Sequence, residues 1–506
     1  MLRWLERQPD RKGLAELVEL TPEGARVRFD AVGVRELFDQ AYAASSEERA
    51  YPRPLPNKEP LRTESRTTES GGRIATTQVY IYPAIVPAGA FLAELDPSPS
   101  GENPLWLKLW RDLLWTILRG VPKQRVPYEM RAAGKTASDA AEAWAAISGK
   151  SDASLDLAST YFLGAMAHTA ESVPFRDRQR FQFLLHFWPF VAQIYVPSTV
   201  DRTGKRSDLG FVLAFPDVAN LQVFCERFPA MMRQRDPIPG GFRPRGSRID
   251  VAVEAGLEVL ARLGERLAES EGGKATGDVV LGVDFFHADK PGKAVKIVGA
   301  GRVVPLAAMI DRYRLIRSTY WDHVFRRQRL LNLVDDRDWF HGFDRTVASI
   351  ADEHFLRSHT FLHDVREAFR QEGNSMSQSS AHEPRPLEAL VYQLVRSYVR
   401  GRLKSKHGLE WSEQMKGTPT ESDFNENRGK LAREAFLAVR SRTGADFIEY
   451  FAATLCSTPQ WLPEADFLEL TRQLHEQTEK IRTLTLLALS AQGYTTRSEE
   501  RNVDNG

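Results

Sequence analysis

Asp311-Arg-Tyr-Arg-Leu-Ile-Arg-Ser-Thr-Tyr-Trp-Asp-His-Val-Phe-Arg-Arg-Gln-Arg-Leu-Leu331 is the stretch on which the fold assignment turns. Tyr313, Ile316, Tyr320, Val324 and Leu331 recur at the spacing of one helical face, and Arg314, Arg326 and Arg329 fall roughly opposite. The spacing predicts an amphipathic helix within 306–334, packed on one side and offering Arg312, Arg314, Arg317, Arg326, Arg327 and Arg329 to a polyanion on the other; a plain solvated helix is the competing reading. Downstream the same period predicts helices over 344–371, 386–405, 427–442, 444–455 and 464–490. A polar break at 371–386, with Ser375, Ser377, Ser379 and Ser380, separates an inner helical part from a detachable bundle.

Upstream the texture turns toward strands. Segments 191–196 and 209–215 read as a hairpin with a long basic tip, and 278–286 with 294–298 as a second hairpin turning through 287–293. Between them 251–270 is helical. Nearer the start, 14–30 reads as helical or mixed, and 45–72, rich in Glu, Arg, Thr and Pro without apolar period, as a long loop. An extended run covers 74–86, and a helix covers 103–120, with Pro104 near its start and Gly120 near its end. The expected fold is α+β: a mixed N-terminal and central region with β-hairpins, then a mainly helical C-terminal bundle. Its divisions are 1–160, 161–305, 306–371, a linker at 372–386, and 387–506.

Composition narrows the function classes. The chain has 506 residues, 42% of them hydrophobic, and a formal net charge of +1. That balance excludes a simple polycation that coats nucleic acid, so any such binding uses local patches. No apolar run approaches the ~20 residues of a spanning helix; the richest, 181–196, is interrupted by Gln182, His186 and Gln193. Residues 1–10 are charged and lack a signal-peptide core, so a cytoplasmic protein without membrane partners is expected. Cys225 and Cys456 lie far apart and make neither a disulfide framework nor a cysteine-rich zinc site.

Four further segments concentrate cations. In 118–131, Arg119, Lys123, Arg125 and Arg131 stand among prolines that limit backbone freedom, with Tyr128 able to stack on a base. In 239–248, Gly240, Gly241 and Gly246 permit close approach while Arg243, Arg245 and Arg248 supply charge, in neither dinucleotide-fingerprint nor Walker spacing. The hairpin tip carries Arg202, Lys205 and Arg206. The late helix carries Arg396, Arg400, Arg402 and Lys404 beside Tyr398, with Arg396 and Arg400 one turn apart. A surface turn, a Gly-Pro connection and solvated basic faces remain the plain readings of these segments.

The most enzyme-like group is His354, His359, His363 and Asp364, since imidazole and carboxylate together hold divalent ions that activate water. Nine positions separate His354 from His363, placing them on opposite sides of a helix. No nucleophile elbow and no Walker A sequence occurs. No catalytic residue, metal ligand or cofactor is therefore assigned. A metal-dependent phosphohydrolase using His363 and Asp364, and a helical scaffold without a nucleic-acid role, stand as alternatives.

Several segments in order resemble one family: Arg11-Lys-Gly-Leu-Ala-Glu-Leu-Val18, Leu109-Trp-Arg-Asp-Leu-Leu-Trp-Thr-Ile-Leu-Arg-Gly-Val-Pro122, Gly210-Phe-Val-Leu-Ala-Phe-Pro-Asp217, Gly241-Phe-Arg-Pro-Arg245, and the arginine-rich stretch leading into Asp338-Trp-Phe-His-Gly-Phe343. Together they resemble the large subunit of type I CRISPR Cascade complexes, in the Myxan-subtype branch. The resemblance implies a non-catalytic subunit at the crRNA 5′ end, bound to crRNA, target DNA and the backbone and 5′-end subunits. Such a subunit recognises a protospacer-adjacent motif, opens the duplex and guides the displaced strand, while base pairing reads the sequence. It also implies a helicase-nuclease or transposition proteins as further partners, and a C-terminal bundle equivalent to a small subunit. Gln371-Glu-Gly373 can be encoded as a strong ribosome-binding sequence just upstream of Met376, which would release 376–506 as a separate product.

Overall fold

The computed structural model describes residues 1–55, 58–70, 73–89, 125–149, 153–157, 175–187, 191–233, 248–269, 275–289, 296–375, 385–457 and 462–495. The helix expected at 103–120, part of each Arg-Gly loop and most of the turn at 287–293 lie outside these residues. The chain divides into two compact units, 1–197 with 209–307, and 198–208 with 308–506.

The first unit starts with α1 (Leu2–Glu6) and an antiparallel pair, β1 (Ala15–Leu20) and β2 (Ala25–Phe29), followed by α2 (Ala31–Ala41). The segment 14–30 thus folds as a hairpin and not as a helix. Ala15 and Leu17 alternate with Glu16, and Thr21-Pro-Glu-Gly24 closes the turn with a Thr21 N–H to Gly24 carbonyl bond of 2.8 Å. Asp30 then caps α2 by accepting from the N–H groups of Val32 and Gly33 at 2.9 and 2.8 Å.

The long loop expected at 45–72 is replaced by two strands, β3 (Ala44–Tyr51) and β4 (Arg62–Ser70), which flank β5 (Arg73–Pro87) in the order β3-β5-β4. Most described side chains of β3 and β4 are exposed, so these strands carry no core-facing apolar stripe. The ladder to β5 and β-branched Thr63 and Thr67 favour the extended backbone instead. Next come α3 (Arg125–Ala132) and α4 (Asp139–Ser148), which join α2 in a core of Trp4, Leu5, Val34, Phe38, Tyr42 and Tyr128.

A small pair, β6 (Ser154–Leu157) and β7 (Phe175–Arg178), precedes the main sheet, formed by β8 (Gln193–Val200), β9 (Arg206–Asp208), β10 (Phe211–Val218), β11 (Arg248–Ile249), β12 (Val280–Asp289) and β13 (Lys296–Val303). Its order is β11-β8-β10-β12-β13, with β9 paired to β8. Both expected hairpins are present: β8 pairs with β10 through Val212↔Tyr195, and β12 with β13 through Phe286↔Ala300. Three helices accompany the sheet, α5 (Leu221–Arg233), α6 (Glu254–Ala268) and α7 (Thr276–Val279). Helix α6 is buried on nearly every side, and Gly256 lets it seat closely, since a Cβ there would meet a Val303 methyl at 2.6 Å.

The second unit is helical apart from the hairpin end 198–208. Its helices are α8 (Ala307–Thr319), α9 (His323–Val334), α10 (Phe343–Ser349), α11 (Asp352–Arg357), α12 (His359–Ser375), α13 (Leu387–His407), α14 (Pro419–Arg440), α15 (Gly444–Ala453), α16 (Glu464–Glu476) and α17 (Thr478–Gln492). The mixed α+β architecture with a helical C-terminal region is as expected. Several predicted helices are divided: 306–334 breaks at Tyr320–Asp322, and 464–490 breaks at Gln477, whose φ of −132° and ψ of 48° leave the helical region. Helix α17 is buried almost all round and contacts α12, α13 and α14, forming the axis of the bundle. Among the described residues no helix is long and apolar enough to cross a membrane.

Candidate nucleic-acid interface

The hairpin end 198–208 belongs to the helical unit. Asp201 shapes its turn by accepting from Thr203 N–H at 2.8 Å, Thr203 Oγ1 at 2.6 Å and Lys205 N–H at 3.0 Å. The Thr203 hydroxyl, then the Lys205 backbone N–H, hold its carboxyl below the usual value. Arg202, Lys205 and Arg206 are exposed around this turn, so the expected basic tip presents its charge outward.

The stretch 311–331 behaves differently. Tyr313, Ile316, Tyr320 and Val324 are buried as the helical face predicted, but Leu331 is 38% exposed. The cause is Asp322, which ends α8's register and caps α9 through the N–H groups of Val324 and Phe325 at 3.0 and 3.1 Å. Helix α9 restarts with its own phase and buries Phe325 and Leu330. The arginines consequently do not form one solvent-facing row. Arg314 pairs with Asp311 at 3.1 Å, and the Arg329 guanidinium lies over the Tyr320 and Trp339 rings, 5.6 Å from each. Arg326 is half-buried.

The loop ending at Arg131 is corrected at two residues. Tyr128 is 1% exposed and donates its hydroxyl to the Ala41 carbonyl at 3.0 Å, so its ring belongs to the core and is closed to a base. Burial also raises its pKa well above the ordinary value. Arg131 grips Asp139 through two bonds of 2.8 and 3.1 Å and Asp39 at 2.8 Å, which neutralises it within the fold. Burial works against its charge, but these carboxylates outweigh that and raise its pKa. Arg125 opens α3, and Arg248 is exposed at the start of β11. Arg119, Lys123, Arg243 and Arg245 lie outside the described residues.

Helix α13 turns Arg396 and Arg400 to solvent, while the Arg402 guanidinium covers the Tyr398 ring at 5.6 Å and Lys404 pairs with Glu410 at 2.9 Å. Two arginines that the sequence did not single out enlarge this surface. Arg366 of α12 lies over the Tyr494 ring at 5.3 Å, and Arg428 of α14 donates to the Tyr494 carbonyl at 2.5 Å. Burial, then the charges of Arg366 and Arg400, push Arg428 down to about 10. Partial desolvation and Arg396 likewise lower Arg400. No carboxylate pairs with Arg366, Arg396, Arg400 or Arg428 among the described residues. Both added residues stand in core phase: Arg428 is four after Phe424 and three before Leu431, and Arg366 four after Leu362 and three before Phe369. An arginine at an apolar position was the available signal.

The histidine-aspartate group is a structural network. Asp364, fully buried, accepts from the N–H groups of Trp321 and Asp322 at 2.7 and 2.6 Å and contacts His363 Nδ1 at 3.0 Å. Burial raises its pKa to about 6 against the pull of these bonds. Asp322 is 2% exposed and receives His354 Nε2, Ser358 Oγ and Thr360 Oγ1 at 3.1–3.2 Å. Burial opposes its ionisation, but His354 first, then Phe325 N–H, hold the carboxyl below its usual value. His359 instead faces Tyr494, its Nε2 at 3.2 Å from the Thr495 carbonyl. Among the described residues no three His, Cys, Asp or Glu side chains are grouped to hold a metal ion.

Two family models match the chain in sequence. The Type I-B CRISPR Cas8b N-terminal domain covers residues 14–273, and the Type I-B CRISPR Cas8b C-terminal domain covers 280–492. Comparison with curated proteins gives no match. Spanning nearly the whole chain in the family's own domain order, these matches make it a member of the type I CRISPR Cas8b family, the large subunits of Cascade.

Proposed function

We propose that this large subunit serves an RNA-guided DNA surveillance complex by gripping phosphodiester chains at two cationic surfaces, breaking no bond itself. The hairpin tip with Arg202, Lys205 and Arg206 approaches the duplex beside the protospacer-adjacent motif and assists its opening. The surface of Arg366, Arg396, Arg400 and Arg428 guides the displaced strand while crRNA pairs with target. The observation that carries this reading is that these four arginines gather from three helices without carboxylate partners among the described residues, whereas Arg131 is closed off by Asp39 and Asp139. Like charges brought together oppose folding, and a bound polyanion relieves them.

Within this reading crRNA, target DNA and the backbone and 5′-end subunits are the partners, with a helicase-nuclease or transposition proteins recruited afterwards. The Myxan branch, the five-part division at 160, 305, 371 and 386, the cytoplasmic setting and a separate product from Met376 belong to the same proposal. The phosphohydrolase reading is disfavoured because Asp364 is committed to backbone N–H groups at a helix start. The scaffold reading predicts no affinity for short duplexes or heparin.

The test compares the assembled complex carrying Arg366→Gln, Arg396→Gln and Arg400→Gln with the unaltered one across a salt series. Removing one cation from a single-strand phosphate flattens the logarithmic salt slope by ~0.7, so the triple variant should flatten it by roughly two units. An unchanged slope and affinity would remove this surface from the proposal. Failed complex assembly with DNA affinity retained would transfer it to protein contacts.

A further inference from the structure

We infer that His323, His354 and Asp322 are positioning residues for the cationic hairpin, fixing the backbone of 201–206 so that Arg202, Lys205 and Arg206 engage one phosphodiester strand together. The inference rests on the proposed contact between this tip and nucleic acid and supplies the mechanical support beneath it.

Within 201–208 only Gly204 is buried, while the residues around it are exposed. Its φ of +83° lies in the left-handed region, and a Cβ added there would come within 2.4 Å of His354 Nδ1. The imidazole therefore packs directly on the tip's backbone. The Gly204 carbonyl accepts from His323 Nε2 at 2.6 Å, which fixes the protonated nitrogen of that ring. The two rings meet edge to face, 6.0 Å between centroids. On its far side His354 donates through Nε2 to Asp322 at 3.2 Å, and Asp322 is anchored in turn to the start of α9. Two outer ties flank this latch: Ala351 N–H to the Arg202 carbonyl at 2.7 Å, and Arg327 Nη1 to the Ser198 carbonyl at 3.0 Å.

Asp201 alone closes a turn from within, as in many solvated hairpins. The latch adds restraints from the helical unit on the backbone carbonyls of Ser198, Arg202 and Gly204, while Arg202, Lys205 and Arg206 stay exposed. This division suits a surface that must present long charged side chains without ordering the loop at the moment of binding, a cost that pre-ordering removes.

The tip cations are themselves trypsin sites, so the latch is read on the full-length chain without nucleic acid. His323→Ala and His354→Ala each remove a part-buried bond, and nicking after Arg202, Lys205 or Arg206 should accelerate about tenfold as the tip opens locally. His323→Gln, whose amide N–H can still reach the Gly204 carbonyl, should restore slow nicking, which a general loss of stability would not allow. In the assembled complex the two alanine variants should weaken target-DNA binding several-fold although no tip charge is removed. Unchanged nicking, or faster nicking with DNA affinity intact, overturns the positioning role when Arg202→Ala, Lys205→Ala and Arg206→Ala together do weaken binding. If that triple variant binds normally, the nucleic-acid reading of the tip fails instead, and accelerated nicking then supports only a structural latch.

Discussion

Asp364 carries a full negative charge at neutral pH only against its surroundings, because burial raises its pKa to about 6. A carboxyl raised above its unfolded value of about 3.9 stabilises the fold fully below that pH, and the contribution is lost as pH rises through the folded value. Asp364→Asn keeps an acceptor for the N–H groups of Trp321 and Asp322 and removes the proton. The difference in unfolding free energy between the chain and this variant should therefore shift against the unaltered chain from about pH 4 to pH 6, by on the order of 2–3 kcal/mol, and level off above. A difference that stays flat across this window in urea titrations would show that Asp364 titrates normally. Asp322 acts in the opposite sense: its lowered pKa gives stability that is lost only as pH falls below the ordinary carboxylate range. Tyr128 supplies a second residue-level outcome. Tyr128→Phe removes its bond to the Ala41 carbonyl and should cost about 1–2 kcal/mol, with DNA affinity of the complex unchanged. Its sequence setting, prolines and cations on either side, resembled an exposed loop, and nothing local indicates that the ring packs against Tyr42 from another element at 5.1 Å.

At the level of elements, legibility followed the apolar period. Both hairpins of the main sheet and most C-terminal helices could be read because their buried faces repeat along the sequence. Strands β3 and β4 could not, since backbone pairing to β5 holds them and their exposed side chains carry no such repeat. The break at Tyr320–Asp322 was hidden for another reason: Asp322 is a capping residue inside a stretch whose apolar spacing continues through it. The basic face of α13 was visible, but its enlargement by Arg366 and Arg428 depends on helices separated in sequence. This gathering predicts opposing effects from one change. Arg400→Gln should raise the melting temperature of the free chain by relieving Arg396 and Arg428, an effect reduced by solvent screening at this exposed site, while lowering its affinity for single-stranded DNA. Parallel melting and binding curves would decide it, and a fall in both would mean that Arg400 supports the fold.

For the whole molecule, the helical unit includes described helices on both sides of the polar break that the sequence presents near Met376. Serines and glycine at 373–380 resemble a linker, and local polarity cannot reveal that the helices on either side share one core. Helix α12 contributes Phe361, Leu362, Val365 and Phe369, all at most 5% exposed, and it contacts both α13 and the central α17. Phe369 stacks on Tyr392 with centroids 4.7 Å apart, and Phe355 stacks on Phe436 at 6.3 Å. A product beginning at Met376 would lack all of α12 and uncover its partners. Those four side chains alone correspond to roughly 6–12 kcal/mol of burial, comparable to the ~5–15 kcal/mol that holds a whole domain folded. The fragment 376–506 should therefore unfold over a broad urea range and bind a hydrophobic dye, whereas 308–506, which keeps α8 and α9 over α12, should unfold in one sharp step. A sharp, monomeric transition for 376–506 would refute this, and would show that the bundle closes without α12. The broad transition would mean that any separate product from Met376 gains its missing face from another subunit.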